Sequence, residues 1–278
     1  MKNISRFLAF VTLFPSFADA VDKDQYSLFK PTPQAEMRDM TGDDITEAAQ
    51  TVDAGHFQFE CNFFEYGFSD RPGDSETKRF TAVPSLLKIG LTNDTELQLG
   101  FTPYSIESER LNSAFEKGPW SDIEGPSKMS TRAKMNLFGN DEGRTALGIV
   151  TSVSFPITRS DVDNHYLEGG AALLYGMEIN AANYLATMLA LDLSHHAEDG
   201  HELGTLHSAS LTTSISEKID IYLEYAGYYS DSELEPYINS GVTWLVNSEV
   251  MIDFLGLKVG LNDNAEDIVF FTAGVFRY

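Results

Sequence analysis

Lys128-Met-Ser-Thr-Arg-Ala-Lys-Met-Asn-Leu137 sets Met129, Thr131, Ala133, Met135 and Leu137 against Lys128, Ser130, Arg132, Lys134 and Asn136 in strict alternation. Successive side chains of a strand point to opposite faces, so this stretch has one apolar or small-residue face and one polar face with three cations. The same period recurs from Gly55 onward. Phe57, Phe59, Cys61 and Phe63 alternate with His56, Gln58, Glu60 and Asn62, and Leu97, Leu99 and Phe101 with Glu96, Gln98, Gly100 and Thr102. It continues through Leu147/Ile149/Val153/Phe155, Leu173/Tyr175/Met177/Ile179, Leu185/Leu189/Leu191/Leu193 and Ala209/Leu211/Thr213/Ile215. Ile219/Ile221/Leu223/Tyr225, Ile238/Val242/Trp244 and Leu257/Val259/Leu261 follow. With a less regular strand around 81–91 and the closing Asp267-Ile-Val-Phe-Phe-Thr-Ala-Gly-Val-Phe-Arg-Tyr278, the count is about twelve. Alternation sustained over segments of roughly ten residues means β-structure, and no stretch has comparable helical spacing.

The connections decide the architecture. Those at 92–94, 139–143, 181–183, 216–218 and 247–249 are short; those centred on 70–79, 105–127, 156–168, 196–204, 230–235 and 262–267 are longer. Short and long alternate without exception. An up-and-down outer-membrane barrel has an even strand number, short periplasmic turns and longer outer loops, whereas a soluble sandwich has no reason for that order. The sequence predicts an all-β fold, a transmembrane antiparallel up-and-down β-barrel of about twelve strands over 55–278. Its apolar face looks to lipid and its polar face to the lumen.

Both ends agree with an exported barrel. Lys2 and Arg6, the apolar stretch from Phe7 to Phe14, and Ala18-Asp19-Ala20 have the layout of a secretory signal over 1–20, too short to span a bilayer as a helix. An apolar, aromatic final strand is expected to pair in a sheet and close the barrel, and to engage barrel-assembly machinery. Between them, 21–54 contains Pro31, Pro33 and several carboxylates without alternation, and reads as a periplasmic N-terminal arm. The formal charge is −23 over 278 residues, which excludes nucleic acid as a partner because phosphates would be repelled. Cys61 is the single cysteine, so no intramolecular disulfide forms, and a packed strand residue is the expected role.

Alternation puts Glu60, Lys88, Glu96, Arg132, Lys134, Glu178, Asp192, Asp220, Glu224, Lys258 and Arg277 in the lumen. Strand pairing would set Glu60 roughly opposite Lys88, and Glu96 near Arg132 or Lys134, as cross-strand ion pairs. These charges either fill the interior or line a pore that selects solutes; twelve strands fall between a filled eight-stranded barrel and an open sixteen-stranded one.

Other groupings point less far. His195, His196 and His201 with Glu198, Asp199, Glu202 and His207 contain ligands suited to a transition metal, but adjacent strand residues diverge. Asp161, Asp163, Asp231, Glu233, Glu235, Glu266 and Asp267 make the outer loops acidic, where divalent cations could bridge carboxylates to lipopolysaccharide phosphates. His207 and Ser208 are neighbours on opposite faces, and His56 has no assigned serine partner. No Gly-x-Ser-x-Gly, His-Glu-x-x-His or phosphate-loop pattern occurs, so an enzyme is not expected and no cofactor or metal is implied.

Arg38-Asp-Met-Thr-Gly-Asp-Asp-Ile-Thr-Glu-Ala-Ala-Gln-Thr-Val-Asp-Ala-Gly-His-Phe-Gln-Phe-Glu60 resembles the opening of a bacterial family of outer-membrane transporters named after the meta-pathway of phenol degradation (MetA-type). Gln50-Thr-Val52 and Gly55-His-Phe-Gln-Phe-Glu60 match, while the family's Arg-Pro pair is replaced around Gly42 and Asp43. Leu86-Leu-Lys-Ile-Gly-Leu-Thr-Asn-Asp-Thr-Glu-Leu-Gln-Leu99 is similar to its Arg-x-Gly-Leu-Thr-Asp-x-x-Glu-Leu strand-turn-strand, and Asp253 with Gly260-Leu-Asn-Asp-Asn-Ala-Glu-Asp267 to its closing hairpin. The resemblance implies an outer-membrane barrel with a transport role and leaves the substrate open. The expected function is passive transport or binding of a small solute, hydrophobic or aromatic compounds being candidates, in the bacterial outer membrane among its lipid and lipopolysaccharide. The alternatives are a structural or surface-interaction barrel with a plugged lumen and, third, a lipid-acting barrel enzyme.

Overall fold

The structure, a computed structural model, describes residues 23–33, 37–38, 45–71, 74–112, 117–126, 129–156, 166–196, 200–230, 233–262 and 268–278. The expected signal at 1–20 lies outside the described residues, as do parts of the arm and Asp161, Asp163, Asp231, Glu266 and Asp267 of the outer loops.

One closed antiparallel sheet accounts for the fold. Its segments are β1 (Phe57–Asp70), β2 (Ser75–Ala82), β3 (Ser85–Gly90), β4 (Thr95–Phe101), β5 (Tyr104–Leu111), β6 (Ser121–Gly125), β7 (Met129–Phe138) and β8 (Thr145–Phe155). β9 (Glu168–Asn180), β10 (Asn183–His196), β11 (Gly200–Ser216), β12 (Ile219–Ser230), β13 (Glu233–Asn247), β14 (Val250–Gly260) and β15 (Ile268–Arg277) complete it. β2 runs on into β3, β4 into β5 and β6 into β7, so fifteen segments make twelve staves. The interruptions fall at Pro84, Pro103 and Pro126, residues that cannot donate to a ladder. At the first, Val83 takes a φ of 52° and the Pro84 carbonyl accepts the Asn62 amide at 3.0 Å. β1 accordingly pairs with β3 through its first half (Gln58↔Lys88) and with β2 through its second (Tyr66↔Phe80). β15 closes the ring on β1 from Gln58↔Arg277 to Phe68↔Ile268, with a bulge at Phe63.

The longer connections expected over 70–79, 105–127 and 196–204 are in large part strand. β2 pairs with β5 from Ser75↔Leu111 down to Ala82↔Tyr104, β5 and β6 form a hairpin, and β11 begins at Gly200. Beyond the hydrocarbon both faces of a strand are wet, so the alternation of polarity stops while the hydrogen-bond ladder continues.

Polarity is reversed relative to a soluble protein. Lys88, Glu96, Lys134 and Glu224 inside are 0% exposed, whereas outward Leu189 and Leu223 are 56% and 57% exposed. No described helix is long and apolar enough to cross a membrane; the strands make the crossing. From Phe57 to Phe68, outward residues of β1 are almost all aromatic. Eleven steps of ~3.3 Å, tilted ~40°, span about 28 Å, close to the ~25 Å apolar band of such barrels. Outward Trp244 stacks on Phe254 at 5.5 Å, and Tyr278 is 80% exposed, which puts an aromatic belt at the end holding the termini.

Inward rings lie flat on the wall. Tyr184 covers Gly176, Tyr228 covers Gly204, Tyr222 covers Gly241 and Phe271 covers Gly256, each on the adjacent stave, so that a Cβ at any of these glycines would collide with the ring. The bulk of four aromatic residues is thereby kept out of the lumen.

Gly241→Ala should destabilise the barrel by ~1–3 kcal/mol through displacement of Tyr222. Urea titration, with the folded fraction read from unheated gel mobility, checks this. Gly169→Ala, whose Cβ would meet only the Ser152 carbonyl at 3.2 Å, should cost less. On the outer face, Leu189→Arg at mid-strand should cost ~2–4 kcal/mol in the same titration.

Candidate functional site

Twelve staves enclose more space than their own side chains fill, and the chain fills part of it with itself. Residues 45–54, within the stretch read as the N-terminal arm, run inside the barrel: Ala49, Thr51, Asp53 and Ala54 are all buried. The segment leaves at the termini end, where Gly55 adopts a φ of 75° against Pro31. There the Thr32 amide donates to the Ala54 carbonyl at 3.0 Å and His56 Nε2 lies 2.8 Å from the Thr32 carbonyl.

A peptide without sheet partners inside a barrel needs other acceptors for its amides. The wall supplies them. Glu224 on β12 accepts from the Ile45 amide at 3.0 Å and the Thr46 amide at 2.5 Å, and from Asn239 Nδ2 at 2.9 Å. Thr46 Oγ1 donates to Ser208 Oγ at 2.7 Å. On the opposite wall Glu96 accepts the Val52 amide at 2.5 Å, Asn140 the Thr51 amide at 2.9 Å, and Asn136 Nδ2 donates to the Ala49 carbonyl at 2.9 Å. Arg132 pairs with Glu47, Arg38 with Asp53 and with Asp141 (2.6 Å), and Tyr184 donates to Gln50 at 3.2 Å. Gly148 lets the segment approach, since a Cβ there would lie 2.7 Å from the Ala49 carbonyl oxygen.

The lumen has two unlike sides. Around β1, β3, β4 and β7 it is charged: Lys88 Nζ lies 2.9 Å from Glu60 Oε1, and Glu96 is the register partner of Lys134. Across β8 to β11 it is apolar, with Ala146, Val150, Leu174 and Met188 packed on Ala49 and bordered by Ile45, Ala172 and Leu206. Between the segment and this wall lies a cavity of about 170 Å³, lined by Ile45, Val150, Ala171, Ala172, Met188, Ala190 and Leu206, with Glu47, Arg132, Ser152 and Asp192 at its polar edge.

Of the residues assigned to the lumen from sequence, Glu60, Lys88, Glu96, Lys134 and Glu224 are buried on the inner wall, and Arg132 and Asp192 border the cavity. Glu178, register partner of Tyr184, Asp220 and Arg277 stand near the termini-end mouth, while Lys258 lies farther up, 5.1 Å from the Tyr237 ring. These four stand apart from the cluster around the inserted segment. Glu47 and Asp53 lie in the stretch without alternation, and Asn136, Asn140 and Asn239 carry no charge that marks them in the sequence. The apolar stripe did leave a signal. Ile149-Val150, Leu173-Leu174 and Met188-Leu189 are places where an apolar residue also occupies the inner position of the alternation.

The remaining candidates are dispersed. His207 faces outward, 3.4 Å from Tyr225 Oη, while Ser208 faces inward onto Thr46. Glu198 and Asp199, and the side chains of His195, His196 and His201, lie outside what is described. Among the described residues no three His, Cys, Asp or Glu side chains gather as metal ligands.

No family model and no curated protein matches this chain. Solved structures do share the fold. The COG4313 outer membrane channel from Pseudomonas putida F1 aligns with a TM-score of 0.57 at 9% identity, covering 83% of this chain and 98% of that one. The transport unit of the autotransporter AIDA-I from Escherichia coli aligns with a TM-score of 0.51 at 12% identity, covering 87% and 93%. The NanC porin follows at 0.49 and 7%, covering 79% and 98%. On the first of these alignments, this chain has the barrel fold of an outer-membrane channel.

Glu224→Ala strands one buried and one half-buried amide, the buried loss worth ~1–3 kcal/mol. Hydrogen exchange at the Ile45 and Thr46 amides should accelerate at least about tenfold, and Glu224→Gln, which keeps a carbonyl acceptor, should fall between.

Proposed function

We propose that this chain is an outer-membrane barrel that passes a small hydrophobic solute passively, with the inserted N-terminal segment setting the width of the passage. The observation that carries this reading is the apolar inner wall of β8 to β11 beside the cavity. An inner wall serving only ions or sugars gains nothing from Val150, Leu174, Met188 and Leu206, whereas an apolar solute gains contact area there. A cavity near 150 Å³ lined by aliphatic side chains accommodates a benzene-sized molecule, and this one measures about 170 Å³. The outer-membrane channel among the fold neighbours points to the same location and class of activity, and the motifs at Gln50–Val52, Gly55–Glu60 and Leu86–Leu99 support membership of the meta-pathway family.

In this reading 1–20 direct export, 21–54 begin on the periplasmic side, and the short turns and both termini face the periplasm. β15 is the segment offered to the assembly machinery, and lipid with lipopolysaccharide surrounds the outer face. The buried 45–54 segment favours one second reading, a barrel whose lumen stays closed and whose role is structural.

A reversible lock separates the two. Thr46→Cys with Ser208→Cys, in a Cys61→Ser background, places two thiols where the hydroxyls now lie 2.7 Å apart. Uptake of a single-ring aromatic compound into proteoliposomes should fall several-fold on oxidation and return on reduction. Equal flux in both states would overturn the segment's control of the passage, and no flux in either state or in the wild type would sink the transport reading.

A further inference from the structure

The outward face of the far end is not uniformly acidic. Register puts Asp70, Glu76, Lys78, Phe80, Ile106, Ser108 and Arg110 on one face of β1, β2 and β5, and this face continues the lipid-facing row of Phe64 and Tyr66. Lys78 Nζ lies 4.3 Å and the Arg110 guanidinium 4.5 Å from the centre of the Trp120 ring. Glu76 is the carboxylate among them, 2.5 Å from Arg110, 2.6 Å from Lys117 and 3.9 Å from Lys78. Asp70 is engaged by Asn112, Glu124 by Tyr104 at 2.7 Å, and Asp122 faces outward on β6 opposite Ser108.

Three cations thus surround one carboxylate, in a chain whose formal charge is −23. Trp120 holds Lys78 and Arg110 by cation–π contact, which fixes their positions, and the Lys78 and Lys117 side chains are 40% and 45% exposed. Just below on the same face, Phe80 and Tyr66 are exposed. The height of Phe68, the register partner of Lys78, is the upper limit of the apolar band estimated above, so the cluster stands at headgroup level. A charged group over an exposed apolar strip fits a molecule with phosphate above and acyl chains beneath.

We propose that Lys78, Arg110 and Lys117, organised by Trp120, form a docking site for the phosphate of an outer-leaflet glycolipid, lipid A, whose chains lie along Tyr66, Phe80 and Ile106. This rests on the outer-membrane orientation given under the proposed function.

The full chain in phosphate-free detergent, titrated with lipid A and followed by native mass spectrometry, tests it. Dephosphorylated lipid A should bind roughly tenfold or more weakly, and Lys78→Gln with Lys117→Gln should weaken lipid A binding by a similar factor. Unheated gel mobility verifies that the double variant is folded. Arg144→Gln with Lys218→Gln, at the opposite end, should leave binding unchanged. Equal binding of the two lipids, wild-type affinity in the first double variant, or an equal loss in the second would overturn the proposal. Conductance and uptake in bilayers free of lipid A test the transport reading separately. A barrel that conducts but ignores the phosphate refutes only the docking site; one that binds lipid A through these residues without flux refutes only transport.

Discussion

A strand surrounded by hydrocarbon has no water for the groups on its open edge, and each unpaired amide or carbonyl there costs several kcal/mol. The pairing of β1 with β15 removes that cost for the whole sheet. From this closure follow the even stave number, the common end for both termini and the inversion of polarity. The three proline breaks obey the same constraint. They sit on adjacent staves, and around them β1 divides its pairing between β3 and β2, so that the wall bends without losing its ladder. Above the bend β6 pairs only with β5 among the described residues, and all but its last residue are exposed, as suits an edge beyond the apolar band.

Closure creates the second problem, an interior too wide for side chains alone. Residues 45–54 occupy it as backbone, which explains why the interior carboxylates matter. Glu224 and Glu96 are acceptors for peptide amides on opposite walls, and they span the lumen through the segment between them. Glu224, Glu96 and Arg132 are thus first supports for the inserted chain. The cavity that remains lies toward β8 to β11, where the small residues Ala172 and Ala190 leave room. An apolar cavity in a barrel with many interior charges is consistent once these charges are engaged with the segment and with one another.

Much of the wall was legible because the period of two is a property of the strand itself, independent of what it packs on. Glu60 with Lys88 and Glu96 with Lys134 could be paired on paper, since strand order makes their staves neighbours and alternation puts both partners on the inner face. The far-end hairpins were not legible: β5 and β6 carry polar residues on both faces, and sequence pattern cannot distinguish such a strand from a loop. The same blindness hid the inserted segment. Thr46 to Ala54 has no period because its partners are single carboxylates and amides on distant staves, and Glu224 is 178 residues from the amide of Thr46 that it holds.

The amino-acid sequence by itself determined that this chain is a lipid-facing barrel of about twelve strands, because solvent preference of alternate residues is a local quantity. Only the tertiary structure decided what occupies the inside. Curvature brings staves far apart in the chain across a lumen, and the choice between an open pore, a charged filter and a threaded segment beside an apolar cavity depends on which groups meet there. The cation cluster around Trp120 was decided the same way: Lys78, Arg110 and Lys117 share a site because β2 and β5, separated in the chain by β3, a short turn and β4, are neighbours in the sheet.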